Sequence, residues 1–241
     1  MKNKLFITGA FGGLGEAILY KFLKKKYFCY CVTTKKNNEN NLIKKYKNQI
    51  KILKIDFTQN SWKEDLSFEI KKINKIDTLV NCAGINIIKN FEKITENDFL
   101  TLNKINYESI FFVTQILLKK LYKSKNPRIV NISSIWSTIS KAKRSLYSGS
   151  KGAINSLTRE LSIELATKNI LANSVSPGFF KTKLTLKSLN KKEFKSIIGN
   201  IPLKRLGEPD EIAELIYFLG TKNNSYLTGQ NIICDGGFSI K

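Results

Sequence analysis

The sequence predicts an α/β fold: a doubly wound parallel sheet of about seven strands with helices on both faces. Three observations carry this reading. Short apolar runs alternate with longer segments of helical period along the whole chain. The strand-like runs are continuously apolar, as strands buried on both faces should be. The first run ends in a glycine-rich turn, TGAFGGLG (8–15), that feeds a helix. At 241 residues the chain has the length of one such domain, with no linker, repeat or low-complexity tract, so 1–241 is expected to be a single domain.

The elements follow in order. KLFITG (4–9) is a strand ending in glycine, and 15–26 has helical period. YFCYCVTT (27–34) is a strand, and 38–48 a short polar helix. IKILKIDF (50–57) is a strand, followed by a helix over 61–74. IDTLVNCAG (76–84) is a strand closing on small residues, and 96–123 predicts one long helix. PRIVNISS (127–134) is a strand, 147–169 a helix, and ILANSVSPG (170–178) a strand stopped by Pro-Gly. Residues 181–206 lack a partner strand and read as an insertion forming a substrate lid. A helix over 209–219 and a strand over 228–237 complete the pattern.

Composition excludes several functions. There is no histidine, which removes a His-based triad, a His general base and any His-containing metal site; no metal is expected. Cys29, Cys31, Cys82 and Cys234 form no CxxC and read as small core residues. The apolar run beginning at Leu5 leaves no room for a signal peptide, and no run is long enough to span a bilayer, so a cytoplasmic protein without membrane contact is expected. The net charge of +22 comes almost wholly from lysine, since only Arg128, Arg144, Arg159 and Arg205 are arginines. The lysines are spread along the chain without interleaved aromatics, and no specific nucleic-acid binding is expected.

Ligands of such sheets bind beyond the carboxyl ends of the strands. Gly9, Gly13 and Gly15 let backbone approach a pyrophosphate, and the following helix N-terminus offers N–H groups to its charge. At the end of the second strand an NAD site carries an acid for the ribose 2′-hydroxyl. Here Thr33 and Thr34 are followed by Lys35 and Lys36, with no carboxylate before Glu39. That pattern favours NADP(H) over NAD(H).

Tyr147 and Lys151 lie four residues apart with only Ser148, Gly149 and Ser150 between them. Helical spacing puts both on one face. A free tyrosine titrates near 10, and a neighbouring ammonium, helped by a cationic cofactor ring, would lower it toward a working acid/base.

These segments together resemble the short-chain dehydrogenase/reductases over almost the whole chain. The resemblance rests on TGAFGGLG (8–15), IDF (55–57), NCAG (81–84), Asn106, IVNISS (129–134), YSGSK (147–151), SPGFFKT (176–182), IPLKRLGEPDEIA (201–213) and TGQNIICDGG (228–237), in the family's order. It implies a Rossmann-type domain with Tyr147 as acid/base, Lys151 as its partner and contact of the nicotinamide ribose, Ser134 polarising the carbonyl, and Asn106 holding a relay water. It implies cofactor contacts from Gly9, Gly13, Leu14, Gly15, Thr34, Lys35, Asp56, Phe57, Asn81, Ala83, Gly84, Tyr147, Lys151, Pro177, Gly178, Phe180 and Thr182. Cys82 replaces the family's usual second asparagine, Leu171 a common arginine, and Ser133 reads as strand-end structure.

The implied function is NAD(P)(H)-dependent reduction of a carbonyl to an alcohol, or the reverse. The look is closest to 3-oxoacyl-[acyl-carrier-protein] reductases, which would make the small-molecule substrate carrier-bound. A sugar or small alcohol/ketone substrate, for example in surface-polysaccharide metabolism, is the alternative. A catalytically silent dinucleotide-binding sensor or scaffold is another, disfavoured by the intact catalytic positions. Lys141, Lys143 and Arg144 could meet an acidic carrier or a phosphorylated substrate, but in so lysine-rich a chain they read first as a solvated loop. Apolar positions on more than one face of the helices over 98–123 (Ile110, Phe111, Phe112, Val113, Leu117) and 147–168, with the family's pairing of these helices between subunits that the resemblance implies, predict a homotetramer.

Overall fold

A computed structural model describes residues 2–34, 41–182, 185–186 and 190–240. The seven strands are β1 (Lys4–Thr8), β2 (Phe28–Thr33), β3 (Ile50–Lys54), β4 (Thr78–Asn81), β5 (Arg128–Ile132), β6 (Leu171–Pro177) and β7 (Asn231–Cys234). They form one sheet in the order β3-β2-β1-β4-β5-β6-β7, and every pairing is parallel. The order reverses between β1 and β4, so their carboxyl ends open the crevice where ligands of this architecture sit.

The helices are α1 (Gly13–Lys24), α2 (Asn41–Lys45), α3 (Trp62–Glu69), α4 (Glu96–Asn103), α5 (Ser109–Leu121), α6 (Ser145–Glu164), α7 (Lys191–Asn200) and α8 (Pro209–Leu219). Strand side chains alternate between two cores. Leu5, Ile7, Cys29, Cys31, Val80 and Val130 face α1 and α8, where Ile18, Phe22, Ile212 and Ile216 meet them. Phe6, Val32, Leu79 and Ile129 face the other way, toward Trp62 and Leu66 of α3 and Val113, Leu117 and Leu121 of α5. Each such fully buried side chain contributes about 1.5–3 kcal/mol. Burial also pushes the Cys29 and Cys31 thiols up, as expected of inert core residues.

Four boundaries differ from the sequence-based reading. The helix expected over 96–123 is divided: α4 and α5 are joined by a π-helical turn, Lys104–Glu108. The helix expected over 38–48 is α2 within the described residues, with Lys35 to Asn40 outside them. The last strand is shorter than 228–237, because Gly236 and Gly237 take positive φ values and turn the chain away. The helix expected from Tyr147 begins two residues earlier, at Ser145, and ends at Glu164. Within the segment after β6, α7 starts at a capping box between Asn190 and Glu193, and Phe180 bridges back to Gly207.

Candidate active site

The glycine turn sits where β1 hands the chain to α1. Gly9 and Gly13 have φ of +68° and +48°, in the left-handed region that disfavours side chains. A Cβ on Gly9 would lie 2.9 Å from the Ala83 backbone, and one on Gly15 would lie 2.1 Å from the Gly9 carbonyl oxygen. These two glycines therefore serve close packing, of the turn against β4 and of the helix against the turn. Gly13 is different: nothing lies within 4 Å of a Cβ there, so its backbone fronts open space. Thr8 Oγ1 ties the turn to the crevice floor by accepting from Cys82 N and Ala83 N at 3.1 Å each.

The four expected catalytic residues converge at the carboxyl ends of β4 and β5. Asn106 lies in the π-helical turn and is fully buried. Such turns insert one residue into a helix and re-aim it, often at functional sites. The Asn106 amide clamps the loop after β4 by accepting from Ile85 N at 2.8 Å and donating to Ile85 O at 2.9 Å. It also donates to Ser150 Oγ at 3.2 Å, joining the loop to α6. A Cβ on Gly84 would stand 3.4 Å from Asn106 Oδ1 and 3.5 Å from Lys151 Nζ, so that glycine keeps the floor open between the two.

Lys151 is 3 % exposed, and its Nζ donates to Ile132 O at 2.8 Å, at the end of β5. Burial lowers its pKa to about 8, opposed by the nearby Cys82 thiol. Nζ stands 5.6 Å from the centre of the Tyr147 ring. Ser134 follows β5, where its Oγ caps a short turn by accepting from Trp136 N at 3.3 Å, and its hydroxyl is near enough to the Tyr147 phenol to lower the phenol's pKa. Ser133 instead donates to Lys151 O at 2.9 Å, the strand-end role expected of it.

The electrostatics of Tyr147 in the chain alone differ from those expected with a cationic cofactor ring beside it. In the protein alone the Tyr147 pKa is raised from its usual value, because burial of the phenolate outweighs every other cause. Ser134 and Arg144 pull it down, while Lys151, bound to a backbone carbonyl, is not the group that does so. The protein alone therefore favours the neutral phenol, the form that donates a proton.

The remaining predicted contacts divide by side chain and backbone. Asn81 does not present its side chain to the crevice: its amide nitrogen donates to Asn131 Oδ1 at 2.8 Å and Thr114 Oγ1 at 3.2 Å, pinning β4 to β5 and α5. The Phe57 ring packs edge-on against Trp62 in the core, and Phe180 is buried against Gly207, so each has only backbone to offer. Leu14 and Ala83 likewise lean on the two cores. Asp56 is half-exposed, with its pKa lowered by hydrogen bonds from Thr58 N and Oγ1 at 2.9 and 2.7 Å. Thr34 is exposed at the end of β2, whereas Lys35 lies outside the described residues. Pro177 is buried at the end of β6, and Gly178 lies where a Cβ would strike Asp235 at 2.6 Å. Thr182 accepts from Thr185 N at 3.2 Å.

The sequence reading placed Arg144 first in a solvated loop, with contact to an acidic carrier or phosphorylated substrate as the alternative. Its guanidinium lies 5.8 Å from the centre of the Trp136 ring and interacts with Tyr147. Its position three residues before Tyr147, at the start of the same helix, was the available signal. No cluster of three or more metal-ligating side chains occurs among the described residues.

A nicotinamide dinucleotide fits these features. The Gly13 backbone, with nothing within 4 Å of a Cβ built there, leaves room for a phosphate group, and the Gly84 backbone lies beside Asn106 and Lys151. A family model described as enoyl-(acyl carrier protein) reductase matches residues 9–239. The 3-oxoacyl-[acyl-carrier-protein] reductase FabG of Thermotoga maritima is 33% identical over 238 residues, covering 97% of this chain and 96% of the relative. A solved structure of ElxO with NADP bound superposes with a TM-score of 0.90 at 31% identity, covering 99% of each chain. One of 4-hydroxyisoleucine dehydrogenase complexed with NADH gives 0.91 at 28% identity, covering all of both chains. With the parallel sheet, the glycine turn and the Asn106, Ser134, Tyr147 and Lys151 set in one crevice, the chain belongs to the short-chain dehydrogenase/reductase family, the NAD(P)-dependent oxidoreductases of this fold.

Proposed function

We propose that this protein is an NADP(H)-preferring reductase of a ketone to a secondary alcohol, with 3-oxoacyl thioesters, including carrier-bound ones, as the first substrate class. The observation that carries the reaction type is the meeting of Ser134, Tyr147 and the buried Lys151 in one crevice. The substrate class draws on the relatives named 3-oxoacyl-[acyl-carrier-protein] reductase.

The backbone of the Gly9–Gly15 turn and of Gly84, with Asp56, Thr182 and Lys151, would hold the cofactor. When bound, the nicotinamide exchanges a hydride with the carbonyl carbon. The protein's own part is proton transfer and charge stabilisation. The raised pKa keeps the Tyr147 phenol protonated at neutral pH, ready to donate to the carbonyl oxygen as negative charge grows there. Ser134 donates a hydrogen bond to the same oxygen. Ser134 and Arg144, which lower the Tyr147 pKa, stabilise the phenolate left behind, and the Lys151 ammonium is held beside the ring on Ile132 O. Asn106 holds the β4 loop and α6 in register and is assigned a relay water.

The test is NADPH consumption against 3-oxoacyl thioesters, keto-sugars and cyclic ketones. Turnover of keto-sugars alone would replace the thioester reading with the sugar one. Absence of any turnover with tight NADPH binding would make the protein a dinucleotide-binding sensor. We further place it in the cytoplasm, where its four unpaired cysteines would stay reduced; no described helix is long and apolar enough to cross a membrane. The homotetramer is proposed on the exposed apolar side chains Phe99, Leu100 and Phe111 of α4 and α5 and Ile163 of α6. A monomeric mass by light scattering at micromolar concentration refutes it.

A further inference from the structure

Arg144 is unlike the other cations of its loop. Lys141 and Lys143 are exposed, whereas Arg144 is half-buried. Lys143 takes a φ of +68°, an uncommon conformation for a side chain with a Cβ, and so turns the chain just before Arg144. The Arg144 guanidinium then lies over Trp136 at 5.8 Å from the ring centre. Trp136 follows Ser134 by two residues, and its backbone N–H is bonded to the Ser134 hydroxyl. Trp136 also packs edge-on against Phe179 and Phe238, with ring centres 6.3 Å away in each case. The cation thus stands on an aromatic wall at the mouth of the catalytic centre.

No carboxylate among the described residues forms an ion pair with Arg144, in contrast to Arg205, which pairs with Glu211 at 2.6 Å. A guanidinium partly withdrawn from water loses hydration, and burial does lower the Arg144 pKa. Its planar fork of donors matches a carboxylate or phosphate. Tyr147 is close enough for the two groups to interact, which limits how far an anion held by Arg144 can be from the reacting carbonyl.

We propose that Arg144 is a specificity-determining residue that binds an oxoanion of the substrate, a carboxylate or a phosphate within a few bonds of the reacting carbonyl, with Trp136 packing on the carbon skeleton beside it. This rests on the carbonyl-reductase reading and narrows it. A compact anionic keto compound satisfies the guanidinium. An acyl thioester, neutral on both sides of its ketone, does not, so confirmation of this site would replace the thioester class proposed above while keeping the ketone reduction.

The experiment uses the full chain and compares wild type, Arg144→Gln and Arg144→Lys. Activity is read as NADPH oxidation on two pairs: acetoacetate with methyl acetoacetate, and dihydroxyacetone phosphate with dihydroxyacetone. Binding is read by calorimetric titration of the NADPH complex with each anionic probe. Wild type should bind the anionic member of one pair at least tenfold more tightly than Arg144→Gln does, about 1.4 kcal/mol, and Arg144→Lys should recover part of this. The pair that responds identifies carboxylate or phosphate. Where the probe turns over, both members should lose some rate through the interaction of Arg144 with Tyr147, and the anionic member should lose at least tenfold more, mainly in KM. An equal fall on charged and neutral members would show that Arg144 acts only through Tyr147, and would overturn the assignment. Anion binding that is equal in wild type and Arg144→Gln, or absent from both, would overturn it too. Arg144-dependent binding with no turnover of any ketone would uphold the anion site and overturn the reductase reading alone.

Discussion

Lys151 should make the stability of the cofactor-free protein rise with pH between about 8 and 10.5. Burial lowers its pKa from 10.5 to about 8 in the folded chain. In the unfolded chain it returns to the ordinary value. Between these values the unfolded state binds more protons than the folded one, so folding becomes more favourable as pH increases. Below pH 8 the buried ammonium imposes its full penalty, and above 10.5 the penalty is gone. The shift corresponds to about 3 kcal/mol. Lys151→Met keeps the length of the stem and removes the titration. It also removes the bond to Ile132 O, a loss that is constant across pH once the ammonium is gone. The informative quantity is therefore the difference in unfolding free energy between wild type and Lys151→Met, followed by urea denaturation from pH 7 to 10.5 at fixed protein concentration. It should move by about 3 kcal/mol in favour of wild type, equivalent to about 6–12 °C in Tm for a chain of this size. Curves that stay parallel within about 0.5 kcal/mol would refute the reasoning, and would mean that water or another group hydrates Nζ.

Three further outcomes are expected. Tyr147→Phe should lower turnover by about 10²–10⁴ while leaving NADPH affinity, measured by fluorescence titration, nearly unchanged; a variant retaining more than a tenth of the rate contradicts its role as proton donor. Lys35→Glu with Lys36→Glu should abolish an NADPH preference of about ten- to hundredfold, or about 1.4–2.8 kcal/mol, read as kcat/KM for each cofactor at fixed salt; a wild type that uses both equally disproves the preference. Arg128 is 2 % exposed and donates to Asn224 O at 2.8 and 3.0 Å and to Pro127 O at 2.8 Å, so Arg128→Met should cost about 1–3 kcal/mol for each carbonyl left without a donor; a near-neutral variant would mean that water replaces the guanidinium.

The strands, their order along the chain and the glycine turn were legible in the sequence because burial on both faces demands continuous apolar runs, and a helix packed on a turn demands glycine. Tyr147 and Lys151 were legible because helical spacing is local. Other features depend on neighbours far along the chain. The Asn81 amide nitrogen bonds Asn131 and Thr114 and the Phe57 ring packs on Trp62, which hold both side chains away from the crevice. The long helix is interrupted at Lys104–Glu108, where Asn106 reaches Ile85 and Ser150. Arg144 reads as one more solvated cation until Trp136, eight residues earlier, is folded against it. The direction of the Tyr147 shift was likewise hidden. Spacing shows which charge is near a phenol, but the desolvation that outweighs that charge depends on every atom packed around the ring, and only the tertiary structure supplies those.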